Sequence, residues 1–351
     1  MSKVRRVLVI ADIDLKPLKM LQNQVFASTK GFIRAGNDVR IFDYSGEIAK
    51  LSPLRSRSLS KLLYKNKVDR LLCGFCKHYE PDFIFINFPK FLDYKTLVKI
   101  RNALPTAKLI GMDGDPWPKL HPERIATAKG LDMVFATNDG QWLQDYRDAG
   151  VVSVCFIPNC CDPDIEHRYE VDDKWHSNIL WIGVLEHHAD TSYNLRRDLV
   201  LKLAQRKDCA IYGACGRPKI GGKDVLYAIS GAKIGVSVNA YEPVRFAHSN
   251  RLTRLLACGT FVLSNRFPGC ETLYKDSEHL RYFDTVDEFF ELAEWYLNHE
   301  QERKRIADGG MAWVHEHFNC EKIAGYTLEL AQYGRYSAPW YPSLSTAKAS
   351  G

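Results

Sequence analysis

No stretch of the 351-residue chain approaches the roughly 20 consecutive apolar residues that a membrane-spanning helix needs. The apolar run at 7–11 follows a basic start, but it is too short for an export-signal core and runs straight into Asp12. It reads as a strand, and the chain reads as cytoplasmic. On that reading the ten cysteines are thiols in a reducing compartment. The phosphate-loop pattern ending in Lys-Ser/Thr is missing, and no Gly-x-Gly-x-x-Gly follows the first strand. These absences argue against a phosphate-loop nucleotide hydrolase and a standard dinucleotide oxidoreductase. Cys73-Gly74-Phe75-Cys76 with His78 has no second matching pair, whereas a structural zinc takes four ligands. No metal and no cofactor are expected. Repeats at solenoid periods are also missing.

What is present is ordinary globular material, 46% hydrophobic and 26% charged. At about 100–200 residues per domain, the length suggests two domains. The net charge is +6, and all of it falls in residues 1–166, where 25 Lys and Arg face 19 Asp and Glu. Much of the excess lies in Arg55, Arg57, Lys61, Lys65, Lys67 and Arg70. Such a cluster is either a solvated helix face or a surface for something anionic, such as lipid headgroups, a polyprenyl phosphate or nucleic acid.

Short apolar runs at 7–11, 39–42, 82–87, 108–112, 133–136 and 152–157 read as buried parallel strands. Helical segments fall between them at 19–35, 59–79, 94–103 and up to 148. The stretch 159–177, with Cys160-Cys161-Asp162-Pro163 and no clear period, breaks the rhythm and reads as an interdomain connection. Alternation restarts with strands at 179–184, 209–212, 233–238, 261–264 and 280–283, and helices at 193–205, 222–230 and 251–257. Three helices follow at 286–298, 300–317 and 321–333, then a Pro-, Ser- and Ala-rich tail. Strand–helix alternation in two halves implies an α/β protein with two Rossmann-like, doubly wound domains, over 1–165 and 166–351. Ligands of such sheets bind at the carboxyl ends of the strands.

Residues 236–274 contain Ser249-Asn250-Arg251, then Ala257-Cys258-Gly259, a strand, and Pro268-Gly269-Cys270-Glu271-Thr272-Leu273. This order resembles the C-terminal signature of the GT-B glycosyltransferases, in particular the spore-maturation glycosyltransferase family. The helices carrying His299-Glu300-Gln301-Glu302-Arg303 and Glu316-His317-Phe318 resemble it too. The resemblance implies the GT-B fold, with two domains facing across a cleft and the last helix packing back toward the first domain. It also implies a nucleotide-sugar donor, such as a UDP- or GDP-sugar, held by the second domain. A helix starting at Ser249, Asn250 and Arg251 offers backbone N–H groups and its dipole to a diphosphate, and Arg251 adds a bidentate contact. His248 is a candidate contact to a phosphate or a sugar hydroxyl. Gly183 lets the chain pass close to the diphosphate, and one of Arg196 or Arg197 reaches it. Gly213 and Arg217 belong to a loop that resembles the one packing against the base. Where relatives carry a Glu that contacts the ribose, this chain has Arg254. It either changes ribose recognition or adds charge at the phosphates.

In the first half, Gly111-Met112-Asp113-Gly114-Asp115-Pro116-Trp117 follows a strand. Asp113 or Asp115 is the candidate general base, with Trp117 as a sugar platform. The same residues also suit an Asp-Gly turn. Asp12 is a candidate acceptor contact, as are Arg55 and Arg57. The expected reaction moves a sugar to a hydroxyl of a glycan, a lipid-linked acceptor or a nucleic acid, with peripheral contact to a membrane or an anionic polymer. A nucleotide-sugar epimerase of the same fold and a non-catalytic binding subunit are the alternatives.

Overall fold

The computed structural model describes residues 4–13, 24–53, 57–88, 92–114, 122–185, 194–240 and 244–341. Among them the chain forms two compact units. The first contains, in order, β1 (Arg6–Ala11), α1 (Gln24–Arg34), β2 (Asp38–Asp43), α2 (Tyr44–Leu51), α3 (Arg57–Tyr79), β3 (Phe83–Ile86), α4 (Tyr94–Ala103), β4 (Lys108–Asp113), α5 (Pro122–Ala128), β5 (Met133–Ala136), α6 (Gln141–Asp148) and β6 (Val154–Phe156). The second contains β7 (Ser177–Ile182), α7 (Leu195–Ala204), β8 (Cys209–Tyr212), α8 (Lys223–Ser230), β9 (Ala232–Ser237), α9 (Asn250–Ala257), β10 (Phe261–Asn265), α10 (Cys270–Leu273), β11 (Arg281–Phe283), α11 (Val286–Asn298) and α12 (Glu300–His317). The last helix, α13 (Cys320–Tyr333), belongs to the first unit and packs on α1.

The first sheet runs β2-β1-β3-β4-β5-β6 and the second β11-β10-β9-β7-β8, with every pair parallel. Strands covered on both faces need apolar residues on both, which explains why Val7, Leu8, Val9 and Ile10 are all fully buried. Each sheet reverses its direction of growth beside its first strand. That switch point lies between β1 and β3 in one unit and between β7 and β9 in the other. In doubly wound sheets the crevice for a ligand opens there, outside the carboxyl ends.

Three short helices escape the sequence pattern. Asp43 caps α2 by accepting from the Gly46 N–H at 3.0 Å, and α5 and α10 are only 7 and 4 residues long. The last two are too short to show a helical period. The expected helix at 19–35 starts outside the described residues and is present from Gln24. The connection at 159–177 is packed rather than loose. Cys160, Cys161, Asp162 and Glu166 are buried in the second unit, and the Cys161 N–H donates to Phe318 at 2.9 Å. Among the described residues, no helix is long and apolar enough to cross a membrane.

Candidate functional site

The switch point of the second sheet is occupied by two arginines. Arg251, in the first turn of α9, donates from Nη1 to the Ile182 carbonyl at 2.8 Å and from Nη2 to the Val238 carbonyl at 2.7 Å. Arg196, in the first turn of α7, donates to the same Val238 carbonyl at 3.1 Å and to Val184 at 2.7 Å. The guanidinium groups thus converge where β7 and β9 end. Beneath them lies the buried ring of Trp181, 4.4 Å from Arg251 Cζ and 5.0 Å from Arg196 Cζ, a cation–π platform for both. Trp181 is itself fixed by donating to the Gly183 carbonyl at 3.0 Å. A side chain at Gly183 would displace Arg251, because a Cβ there would lie 2.5 Å from Arg251 Nη1.

Arg251 makes no ion pair among the described residues, and its Nε is buried without a hydrogen-bond partner. Burial first, and then the charge on Arg196, presses its pKa well below the usual arginine value. Backbone carbonyls offset part of the desolvation, but the buried charge of Arg251 favours a bound anion. The start of α9 is polar. Ser249 caps α9 by accepting from the Arg251 N–H at 3.2 Å, so one amide of this helix start is already satisfied. Asn250 follows, with a buried side-chain oxygen that has no partner. Gly213 adopts φ +82° and lies against Gly183, where a Cβ would come 3.3 Å from the Gly183 carbonyl oxygen. A cavity of about 940 Å³ opens at the opposite, amino end of the same sheet, beside Ser177, Lys207, Ala232 and Phe261. Its position away from the switch point makes the arginine crevice the better ligand site.

Residues 196–329 match a family model described as Glycosyl transferase-like. Solved structures share the fold across almost the whole chain. HepE of Anabaena, solved with UDP-glucose, is 12% identical over 93% of this chain and 99% of its own, with a TM-score of 0.58. An alpha-glucosyltransferase solved with UDP and a 13-mer DNA is 12% identical, covering 94% and 99%, with a TM-score of 0.63. Sucrose-phosphate synthase of Thermosynechococcus elongatus is 13% identical, covering 98% and 100%, at 0.58. No curated protein matches by sequence. The chain has the GT-B fold, and its residues 196–329 are similar to glycosyl transferases in sequence.

Within this GT-B chain, other expected site residues have different surroundings. Arg254 is held by Glu166, which accepts from its Nε at 2.6 Å in a largely buried pair. Where a place at the ribose or the phosphates was expected, its charge is paired with the connection at 159–177. His248 is buried as well. Its Nδ1 lies 3.0 Å from the Phe246 carbonyl and must donate to it, so Nε2 accepts from the Tyr274 hydroxyl at 3.2 Å. Burial lowers its pKa to about 4. Both ring nitrogens of this expected phosphate contact are thus engaged by Phe246 and Tyr274. Arg197 and Arg217 are exposed. Of the pair Arg196 and Arg197, only the first turns to the crevice.

In the first unit, Asp113 ends β4 and is 2% exposed. One oxygen pairs with Arg124 and the other accepts from the Tyr146 hydroxyl at 2.7 Å. Both oxygens are engaged, so this geometry suits a buried anchor for Arg124 better than a general base. Asp12 accepts from the Ser45 hydroxyl at 2.5 Å and from its N–H at 3.3 Å, which ties it to the start of α2. Asp115, Trp117 and Arg55 lie outside the described residues, as does the side chain of Arg57. The sequence reading missed Trp181 as the platform and Glu166 as the partner of Arg254. A signal existed for the first: a large aromatic two residues before the strand-end glycine. For the second there was none, since 88 residues separate the partners.

Proposed function

We propose that the chain transfers a sugar from a nucleoside-diphosphate sugar, and that Arg251 and Arg196 receive the diphosphate. The observation that carries this reading is the convergence of two guanidinium groups on backbone carbonyls at the switch point, with no carboxylate paired to Arg251 among the described residues. A diphosphate supplies the missing negative charge, and charge on the leaving group grows in the transition state. Cations fixed there lower the barrier without reorganising. UDP is the nucleotide to test first, because HepE and the alpha-glucosyltransferase were solved with it. In this reading Asp115, not Asp113, takes the proton from the acceptor hydroxyl. The charge excess in residues 1–166 supports an acceptor presented beside negative charge.

The test is calorimetry with UDP and GDP on wild type, Arg251→Ala and Arg251→Lys. Loss of a charge-assisted bidentate contact should cost about 1.5–3 kcal/mol in the alanine variant, with partial recovery by lysine. If both variants bind the diphosphates as wild type does, Arg251 only pins β7 to β9 and the proposed site is wrong.

A further inference from the structure

The helix α3 presents an unusual face. Leu62 is 76% exposed, Leu63 60%, Leu59 49% and Leu71 48%. Leu59, Leu62 and Leu63, three and four residues apart, lie along one side of the helix. Lys67 and Arg70 lie on that same side, exposed and without an ion pair among the described residues. The one acidic residue of α3 is Asp69, which is turned inward and fully buried between Lys65, Lys99 and the Tyr44 hydroxyl. Sequestering that carboxylate, and neutralising Lys65 with it, sorts the helix. The outward face keeps leucines and cations and no anion.

We infer that this face of α3 docks on an anionic lipid bilayer. Each part of the surface has a counterpart there. Leucines gain by entering the boundary below the headgroups, while Lys67 and Arg70 remain among the lipid phosphates on their long apolar stems. Each such cation near an anionic leaflet raises partition roughly fivefold. A nucleic acid would use the cations but leave Leu59, Leu62 and Leu63 in water, since it binds through phosphates and aromatic stacking. The inference concerns the surface and stands apart from the sugar-transfer reading. It would bring the enzyme to acceptors held in a leaflet.

The experiment is co-sedimentation of the full chain with vesicles of phosphatidylcholine containing 30% phosphatidylglycerol, against pure phosphatidylcholine, across a salt series. Wild type should bind the anionic vesicles at least tenfold better than the neutral ones, with binding that falls as salt rises but persists in part. Leu62→Ser with Leu63→Ser, and separately Lys67→Glu with Arg70→Glu, should each lose tenfold or more. These side chains are on the surface, so the melting temperature and UDP affinity should stay at the wild-type level, and that second measurement reports on the donor site independently. Equal binding to both vesicle types overturns the inference. So does retention of binding by the serine variant together with capture of a single-stranded oligonucleotide, which would make the face a nucleic-acid surface. A change of oligomeric state in the serine variant would assign the leucines to contact between copies of the chain and overturn it equally.

Discussion

At the scale of single residues, the crevice depends on atoms that are absent as much as on those present. A methyl at Gly183 would lie 2.5 Å from Arg251 Nη1, the end of a flexible side chain. Gly183→Ala should therefore fold with little loss of stability while pushing the guanidinium off its carbonyls. UDP affinity should fall by about tenfold, the worth of a charge-assisted contact. A calorimetric titration unchanged from wild type would show that the arginine is not held where the ligand needs it. The buried histidines give a separate prediction about pH. Burial brings His248 and His279 to about 4, against about 6.5 in the unfolded chain. A histidine whose folded pKa is lowered binds its proton preferentially in the unfolded state. Its contribution is thus complete above pH 6.5 and is lost as the pH falls toward 4. The slope per histidine approaches about 1.4 kcal/mol per pH unit within that window. Urea unfolding at pH 7 and pH 5 measures it, and His248→Gln should flatten the difference. An equal loss of stability in that variant would move the effect to other groups.

At the scale of elements, close approach and ion pairing decide which helices stay together. A Cβ at Gly31 in α1 would stand 2.1 Å from the backbone carbonyl of Cys320, at the start of α13. Backbone cannot yield as a side-chain tip can. Gly31→Ala should lower stability by about 1–3 kcal/mol and raise hydrogen exchange in α13. Normal protection of α13 in the variant would contradict this packing. The Arg254–Glu166 pair ties α9 to the connection. Glu166→Ala strands a buried guanidinium and should cost about 3 kcal/mol in urea unfolding, whereas UDP affinity should hold. Loss of UDP binding at unchanged stability would return Arg254 to the ligand.

These elements also show what the sequence made readable. Strands such as Val7–Ile10 could be placed because a doubly covered sheet demands a continuous apolar run. Arg251 could be singled out because its helix start and its motif are local. Arg254, His248 and Asp113 each have partners that the local sequence does not reveal. Their roles are set by partners far along the chain: Glu166, Tyr274, Arg124 and Tyr146. A side chain that looks free in sequence can already be satisfied in the fold. The helix α3 shows the reverse case, where burial of Asp69 leaves a face more basic than the sequence suggested.

At the scale of the whole molecule, the two units do not follow the chain in simple succession. The path enters the second unit at Asn159, returns to the first with Cys320–Ser337, and rejoins the second at Ala338. Each return is secured by apolar burial. In the first unit α13 lies on α1, and the Tyr336 hydroxyl donates to the Phe156 carbonyl at 2.7 Å. In the second unit Trp340 is 1% exposed and packs on Phe318, with ring centroids 4.7 Å apart. Two truncations should therefore act differently. A chain ending at Ser337 loses Trp340 but keeps α13, so hydrogen exchange should rise around Phe318 and in β7 to β11 while β1 to β6 keep their protection. Removing a buried aromatic of this size should cost about 3–5 kcal/mol, all from the second unit. A chain ending at Asn319 loses both anchors, and protection should fall in both sheets. UDP should restore protection to the second sheet in either truncation, because ligand binding adds stability to the unit that holds the site. If the two truncations give the same exchange pattern, α13 and Trp340 support one common structure, and the chain's return to the first unit carries no stability of its own.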